Sequence, residues 1–486
     1  MRWKYGCASR ASSTGAFEDF MGPDFRPLSP ETVARIREAV APATVIEDPA
    51  KKEPFGRDGT LDAFAMPELV VEATSAVQIS ALLKLANELR FPVTPRGLGT
   101  GLAGGAVPIH GGVLLSLAKM NRILAIDRDN FIAMVEPGVL NKDLKDAARE
   151  AGLYYPPDPA SYDTCSIGGN AATNAGGPSC VKYGVTREYV LGLEAVLPTG
   201  ELIRTGVRTR KGVVGYDLTR LLVGSEGTLG VITQLTLKLI PHPPAITTLV
   251  SLCPSLSVAM EAIRAVLGAG HIPCVVEFLD RHCLDLVGDL LPFEGVKDAG
   301  AFLLIETDGA PEIIAREIEA IGELCLGSGA DQVLLAPDAR RRERMWEVRK
   351  AVSLRIEERY PVDVHEDIVV PIRRIADFVR RLPPLEETYG MRIYTFGHAG
   401  DGNLHLSMTA ETRESRERID RGIEEILKRV LDMGGTISGE HGIGMMKSRY
   451  LPLELSPESI RLQRGIKSLF DPQGILNPGK VFPPLP

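Results

Sequence analysis

"PRGLGTGLAGGAVP", residues 95–108, contains a formal G-x-G-x-x-G at Gly99, Gly101 and Gly104. In a dinucleotide-binding Rossmann turn, that spacing leads directly into a helix whose N–H groups face the pyrophosphate. Here Gly104 and Gly105 are followed by Pro108 and then Gly111-Gly112, so no helix of ordinary length fits behind the loop. What the stretch offers is exposed backbone N–H groups with little side-chain obstruction. Such a nest suits phosphate oxygens without a helix. Taken alone, it is equally consistent with a glycine-rich turn that binds nothing.

The loop has companions. "PPDPASYDTCSIGGNAATNAGG" (156–177) is a second glycine- and amide-rich stretch, and "GSEGTLGVIT" (224–233) is a third. Three backbone-rich loops in one domain suit a long, polar, phosphate-bearing ligand. FAD fits that description, although composition does not select it.

Around the first loop the chain alternates. "PELVVEA" reads as a strand, "SAVQISALLKLANELR" as an amphipathic helix and "FPVTPRG" as a strand, a β-α-β unit. Strands at "VLLSLA", "ILAIDRD" and "IAMVEPG", a helix at "LNKDLKDAAREAG", and strands at "EAVLPTGE" and "VITQLTLKLI" follow. "IPHPPAIT" (240–247) is the clearest seam, because Pro241, Pro243 and Pro244 cannot continue a strand or helix. Beyond it, longer helices alternate with strands such as "CVVEFLD" and "AFLLIET". The last segment reads as a helix and then an irregular tail.

The bulk numbers bound the function. A chain of 486 residues, 44% hydrophobic, holds two or three domains with sizeable cores. Its net charge of −8 argues against a nucleic-acid binder. Cys7, Cys165, Cys180, Cys253, Cys274, Cys283 and Cys325 form no C-x-x-C pair, so locally held iron–sulfur clusters and zinc ribbons are not expected. The odd, scattered set suits a reducing compartment. No run of apolar residues is long enough to span a membrane, and residues 1–28 read as a disordered extension without an apolar signal core. Ser29 and Pro30 make the first good helix start.

Two of only eight histidines flank a turn in "YTFGHAGDGNLHLSM" (394–408). A two-residue turn at Asp401-Gly402 would place His398 opposite His405, with their Cβ atoms roughly 5 Å apart on one face. Two such imidazoles can close on one metal ion, or can simply flank a glycine-rich loop. A third ligand has to come from elsewhere.

The order of "PRGLGTGLAGGAVP", "VEPGV", "PPDPAS", "SIGGNAATNAGG", "YGVT" and "GYDLTRLLVGSEGTLGVIT" resembles the FAD-binding oxidoreductases of the vanillyl-alcohol oxidase and para-cresol methylhydroxylase (PCMH) type. "FGHAGDGNLH", "SGEHGIG" and the closing "FDPQGILNPGKVF" resemble the branch that oxidises D-2-hydroxy acids. That branch includes D-lactate dehydrogenases, the FAD subunit of bacterial glycolate oxidase and D-2-hydroxyglutarate dehydrogenase. The resemblance runs from about residue 30 to the C-terminus.

The fold it implies is α+β. A two-subdomain PCMH-type FAD-binding domain (29–245) is joined to an α+β substrate or cap domain with an antiparallel sheet (246–455), and a C-terminal segment (456–486) returns to the FAD domain. The resemblance also implies non-covalent FAD on Arg96, Gly97, Gly99, Thr100, Gly101 and Leu102 of the first loop. Pro157, Asp158, Ser161, Ser166, Gly168, Gly169, Asn170, Thr173, Asn174, Gly176 and Gly177 of the second stretch would join them. So would Glu226, Gly227, Gly230 and Ile232 of the third, and Asn477 near the end. Superfamily members that tether FAD often carry a histidine in the first loop. Here the nearest is His110, beyond the loop, which reads as a turn residue.

Glu440 of "SGEHGIG" is the natural third metal ligand, since one carboxylate with two imidazoles suits zinc, manganese or iron. In the family, residues matching His398, His405 and Glu440 hold the metal, and the residue matching His441 is the base. If the segment is extended, His441 projects away from Glu440. For the substrate carboxylate, Arg349 stands beside the apolar stripe Met345–Val348–Val352, after a tryptophan as in the family pattern, with Ser353 one turn on. His365 replaces a lysine that some 2-hydroxyglutarate enzymes use for the distal carboxylate, which favours D-lactate or glycolate.

The expected activity is therefore metal-assisted oxidation of a D-2-hydroxy acid to the 2-oxo acid. Electrons would pass to a separate acceptor: electron-transfer flavoprotein, a quinone, a cytochrome or an iron–sulfur subunit. Two rivals use the same motifs. One is a flavoenzyme without net oxidation, as in ether-lipid synthesis, and the other is a non-catalytic flavoprotein subunit. The expected location is cytoplasmic, peripheral to a membrane only through a partner.

Overall fold

The computed structural model describes residues 25–60, 63–209, 211–291, 295–336, 338–412 and 416–483. Three sheets organise them. The first holds β1 (Thr44–Ile46), β2 (Leu69–Glu72), β3 (Val93–Arg96) and β4 (Val113–Ser116) in the order β1-β2-β4-β3. The helix Ala76–Leu89 joins β2 to β3. Ser75 caps it, it buries Ile79, Leu82, Leu83, Leu85 and Ala86, and it stops at Arg90 in a left-handed conformation. The expected strand–helix–strand order holds, but β4 lies between the two strands and pairs in parallel with both.

The second sheet is antiparallel: β5 (Ile123–Asp127), β6 (Ile132–Val135), β8 (Val190–Val196), β9 (Leu202–Gly206) and β10 (Val231–Lys238), in the order β5-β6-β10-β8-β9. At the proline seam β10 has ended. A two-residue strand, β11 (Ile240–Pro241), pairs with β7 (Leu153–Tyr154) before the next long strand starts at Ala245.

The stretch 156–177 departs from its reading as a loop. Ile167–Thr173 is helical, capped by Ser166 and closed by Asn174 at φ 54°. Glycine at 168 is required by packing, since a Cβ there would sit 2.4 Å from the Pro137 side chain.

The third sheet has seven strands: β12 (Ala245–Cys253), β13 (Val275–Asp280), β14 (Ala301–Gly309), β15 (Gln332–Leu335), β16 (Val362–Val369), β17 (Arg392–His398) and β18 (Asn403–Ala410). Their order is β15-β12-β14-β13-β17-β18-β16, antiparallel throughout. One face is apolar, with Val276, Phe278, Leu303, Ile305, Leu404, Leu406 and Met408 in a core shared with the helices Leu256–Gly268, Pro311–Gly327 and Arg416–Asp432. The other face is mixed. Register pairs Glu277 with His398, Asp367 with His405 and His365 with Ser407, and opposed residues share a face. The long helix Ala339–Arg359 packs Met345, Val348, Val352 and Ile356 against the apolar part of that face.

The tail returns to the first sheet. Ile475 and Leu476 are fully buried in its core, Val93 donates to Ile475 O at 2.8 Å, and Asn477 donates back to Val93 O at 2.8 Å. The extension expected over residues 1–28 lies mostly outside the described residues. Its last part corrects the expectation, because Phe25 and Leu28 pack on the same core and Leu28 N donates to Glu68 at 2.7 Å. Among the described residues no helix is long and apolar enough to cross a membrane, and the described cysteines are all free.

Candidate active site

The histidine hairpin differs in register from the expected one. His398 faces Asn403, and His405 faces Phe396. The turn is therefore two residues longer, which moves the histidines to a diagonal but keeps them on one face, because side-chain direction repeats every two residues. Their Nε2 atoms are 3.4 Å apart.

Glu440 completes a triangle. Its Oε1 lies 3.4 Å from His398 Nε2 and 3.4 Å from His405 Nε2. Ligand atoms about 2.1 Å from one tetrahedral ion lie about 3.4 Å from one another. The donor set and spacing therefore fit a divalent metal. Gly176 leaves room for the carboxylate, since a Cβ there would meet Glu440 Oε2 at 2.7 Å.

Two residues that the sequence reading passed over hold this triangle. Glu277, wholly buried, takes His398 Nδ1 on Oε1 and Arg349 Nε on Oε2 at 2.6 Å. Asp367, also wholly buried, accepts the N–H groups of Gly439, Glu440 and His441 on Oδ2 at 2.8, 2.8 and 2.9 Å.

The Glu440 loop is thus wrapped around Asp367 rather than extended. This corrects the expectation that Glu440 and His441 point apart. His441 Nε2 is 4.0 Å from Glu440 Oε1, and the His441 ring stacks on His405 at 5.4 Å. Asp367, His405 and His441 also come close enough to form an alternative ligand set. The backbone bonds to Asp367 weigh against it.

Burial opposes charge on His398, but the Glu277 carboxylate, its hydrogen bond and Glu440 raise its pKa well above the ordinary value. Burial lowers His405 well below it, with His398 and His441 adding to the effect. Burial would raise Asp367, yet His441, Lys447 and His405 hold its carboxyl far below the usual range.

The three glycine-rich stretches line one cavity of about 290 Å³, with Glu440 and His441 at its wall. Of the residues expected to bind FAD, Arg96, Gly97, Gly99, Thr100, Gly101, Leu102, Ser161, Ser166, Gly168, Gly169, Asn170, Thr173, Gly176, Glu226, Gly227, Gly230 and Ile232 line it. A Cβ on Gly101 would meet nothing within 4 Å, so backbone there faces open space, as a pyrophosphate cradle requires. The cavity fits FAD.

Five residues expected to bind FAD do not line the cavity. Pro157 O accepts from Asn141 at 3.2 Å, and Asp158 takes the Ser179 hydroxyl at 2.6 Å. Asn174 accepts from Arg187 N at 2.9 Å, and a Cβ on Gly177 would strike Asp158 O. Asn477 donates to Gly105 O at 3.0 Å and Glu226 O at 2.8 Å. Of the five, Asn477 supports the wall from behind through Gly105 and Glu226. Glu226 lines the cavity, but its carboxylate is used by the N–H groups of Ile443 and Gly444 at 2.8 and 2.7 Å, which tie the Glu440 loop to the first domain.

Arg349 is near the site but partly engaged. Glu277 takes Nε and the guanidinium lies 4.7 Å from the Phe396 ring, and Arg349 does not line the cavity. Ser353, one turn on in the helix, is half-buried, and its hydroxyl makes no hydrogen bond among the described residues. His110 packs against Phe25 and does not line the cavity. His365 contacts Ser407 Oγ at 2.9 Å and Asp363 at 3.1 Å.

Residues 67–206 match the FAD binding domain family, and residues 242–481 match the family described as FAD linked oxidases, C-terminal domain. The chain is 41% identical over 430 residues to the glycolate oxidase subunit GlcD of Bacillus subtilis, covering 88% of this chain and 92% of that one. It is 40% identical over 471 residues to a D-lactate dehydrogenase of Anaerostipes hadrus, covering 94% and 98%. A crystal structure of p-cresol methylhydroxylase with substrate bound superposes with a TM-score of 0.76 at 18% identity, over 93% of this chain and 96% of that one, which shows the shared fold.

Proposed function

The chain belongs to the FAD-linked oxidases and is an oxidoreductase; from that premise we propose that it oxidises a small D-2-hydroxy acid, D-lactate or glycolate, to the 2-oxo acid. The observation that carries the reading is the equal 3.4 Å spacing of His398, His405 and Glu440 at the wall of the glycine-lined cavity, with His441 stacked beside them. Residues 29–245 would hold the cofactor, 246–455 the substrate, and 456–486 would close back on the first part.

FAD, when bound, supplies the acceptor for the hydride leaving C2, and a divalent metal, when bound, supplies charge that lowers the pKa of the substrate hydroxyl. His398, His405 and Glu440 would hold the metal. The terminal nitrogens of Arg349 would orient the substrate carboxylate as a planar fork, with Ser353 beside it. His441 would accept the hydroxyl proton at Nε2, since an unprotonated imidazole nitrogen is a proton acceptor. Electrons would then leave for a separate acceptor.

Anaerobic mixing with D- and L-acids tests this. The D-2-hydroxy acid should bleach the flavin without oxygen, and its L-enantiomer should not. A yellow protein that no hydroxy acid bleaches would favour a flavoprotein without net oxidation.

A further inference from the structure

We infer that the tip of the loop between β9 and the helix Leu218–Leu222 docks on an anionic lipid surface. Val213, Val214 and Tyr216 are 97%, 98% and 97% exposed, so their side chains touch almost nothing of the chain that carries them. Local structure holds them out. A Cβ on Gly212 would strike the Val207 side chain at 2.6 Å, so the chain folds back closely there, and Gly215 turns it at φ 73° with open space around. Leu218 N donates to Tyr216 O at 2.9 Å, and Asp217 caps the helix behind. Leu202, Val207 and Leu218, which flank the tip in sequence, are exposed as well. Apolar surface gathered in this way marks a contact site.

The charge around the tip says what it meets. Arg208 and Lys211 are exposed and form no ion pair among the described residues. Arg204 and Arg220 stand on either side, and Glu201 and Asp217 are the only acidic residues between 201 and 220. The chain as a whole carries −8. The tip is thus a basic, apolar point on an acidic protein, complementary to anionic headgroups over a hydrocarbon layer.

A protein partner fits it less well. Stable protein interfaces bury on the order of 1,000 Å² or more, and three side chains at a protruding tip offer little of that. A bilayer asks for less: apolar side chains reach the acyl boundary while basic neighbours meet headgroup phosphates, and stable binding takes both signals. Tyrosine suits that boundary, with an apolar ring and a polar end. The helix Leu218–Leu222 follows the tip, and Ser225, Glu226 and Gly227 just beyond it line the larger cavity. Docking would therefore hold the FAD domain against the lipid.

The test is co-sedimentation of the holoenzyme with vesicles of phosphatidylcholine alone and of an equal mixture with phosphatidylglycerol. It needs no substrate, so its outcome is independent of the proposed reaction. The protein should pellet with the mixed vesicles at low salt, far less with phosphatidylcholine alone, and less again as salt is raised. Val213→Glu with Val214→Glu should abolish binding. Arg208→Gln with Lys211→Gln should weaken it by roughly 25-fold, about fivefold for each charge removed. All four substitutions are at exposed positions outside the cavity, so flavin content and Tm should stay at wild-type values. No pelleting with the mixed vesicles, equal pelleting with both kinds, or pelleting untouched by the two glutamates would overturn the inference. So would a dimer that the glutamates split in the absence of vesicle binding, which would make the tip an interface between copies of this chain.

Discussion

Glu277 stands directly opposite His398 in the β13–β17 pairing, and its two oxygens divide between His398 Nδ1 and Arg349 Nε. A carboxylate on Nδ1 keeps that nitrogen protonated and leaves Nε2 to face His405 and Glu440. The same buried charge ties the ring to the helix that carries Arg349. Burial would raise the Glu277 carboxyl, but His398 and Arg349 hold it below its ordinary value.

Glu277→Gln should therefore weaken metal binding by about 10–100-fold, the usual cost of losing such a support. An amide oxygen can accept from one of the two donors, His398 Nδ1–H or Arg349 Nε–H, and its own N–H₂ must face the other. Flavin content should stay normal. The readout is metal affinity measured against a competing chelator. Unchanged affinity would reduce Glu277 to a packing role.

Gly101→Val tests the cofactor cradle. Space for the side chain is open, so the variant should fold, yet that space faces the cavity where FAD would lie. The purified variant should be colourless with an intact circular dichroism spectrum. Acid precipitation of the wild type should release flavin into the supernatant, and flavin retained in the pellet would contradict non-covalent attachment.

These features were unevenly legible in the sequence. The helix Ala76–Leu89 could be read because its cap and apolar spacing are local, and the first loop could be read because Pro108 forbids a helix after it. The hairpin register could not, since it depends on where the turn closes; a two-residue error still kept His398 and His405 on one face. Glu277 and Asp367 were invisible for another reason. Their roles arise only when distant strands bring them against His398 and the Glu440 loop, and nothing near either residue in sequence signals that.

Lys480 gives a pH test of stability. It is buried and donates to Val107 O at 2.7 Å, and burial pulls its pKa down to about 7 against the opposing charges of Asp58 and Glu226. The unfolded chain keeps that proton up to about pH 10.4. Between those values the unfolded state binds one more proton, so stability rises with pH across the window. Below pH 7 the full penalty applies. The Tm of wild type minus that of Lys480→Met should therefore increase from pH 6.5 to pH 9.5. A flat difference would mean that Lys480 keeps its charge in the fold.

Arg349→Lys should raise KM and lower kcat while flavin content stays normal. An ammonium can replace neither the Nε bond to Glu277 together with a fork to the substrate nor the stacking on Phe396. Unchanged kinetics would move the carboxylate site elsewhere.

His441 decides between two ligand sets. Its ring stacks on His405, and Asp367, His405 and His441 are close enough to bind an ion by themselves. Against this, Asp367 already receives three backbone N–H groups, whereas Glu440 Oε1 lies at 3.4 Å from both His398 and His405. His398→Ala, His405→Ala and Glu440→Ala should each deplete metal and activity together. His441→Ala should keep both FAD and metal, and slow anaerobic flavin reduction by roughly 10²–10⁴-fold, the range for a positioned general base. Metal analysis alongside stopped-flow on the four variants separates the cases. Loss of metal from His441→Ala would make His441 a ligand and send the search for the proton acceptor elsewhere in the cavity wall.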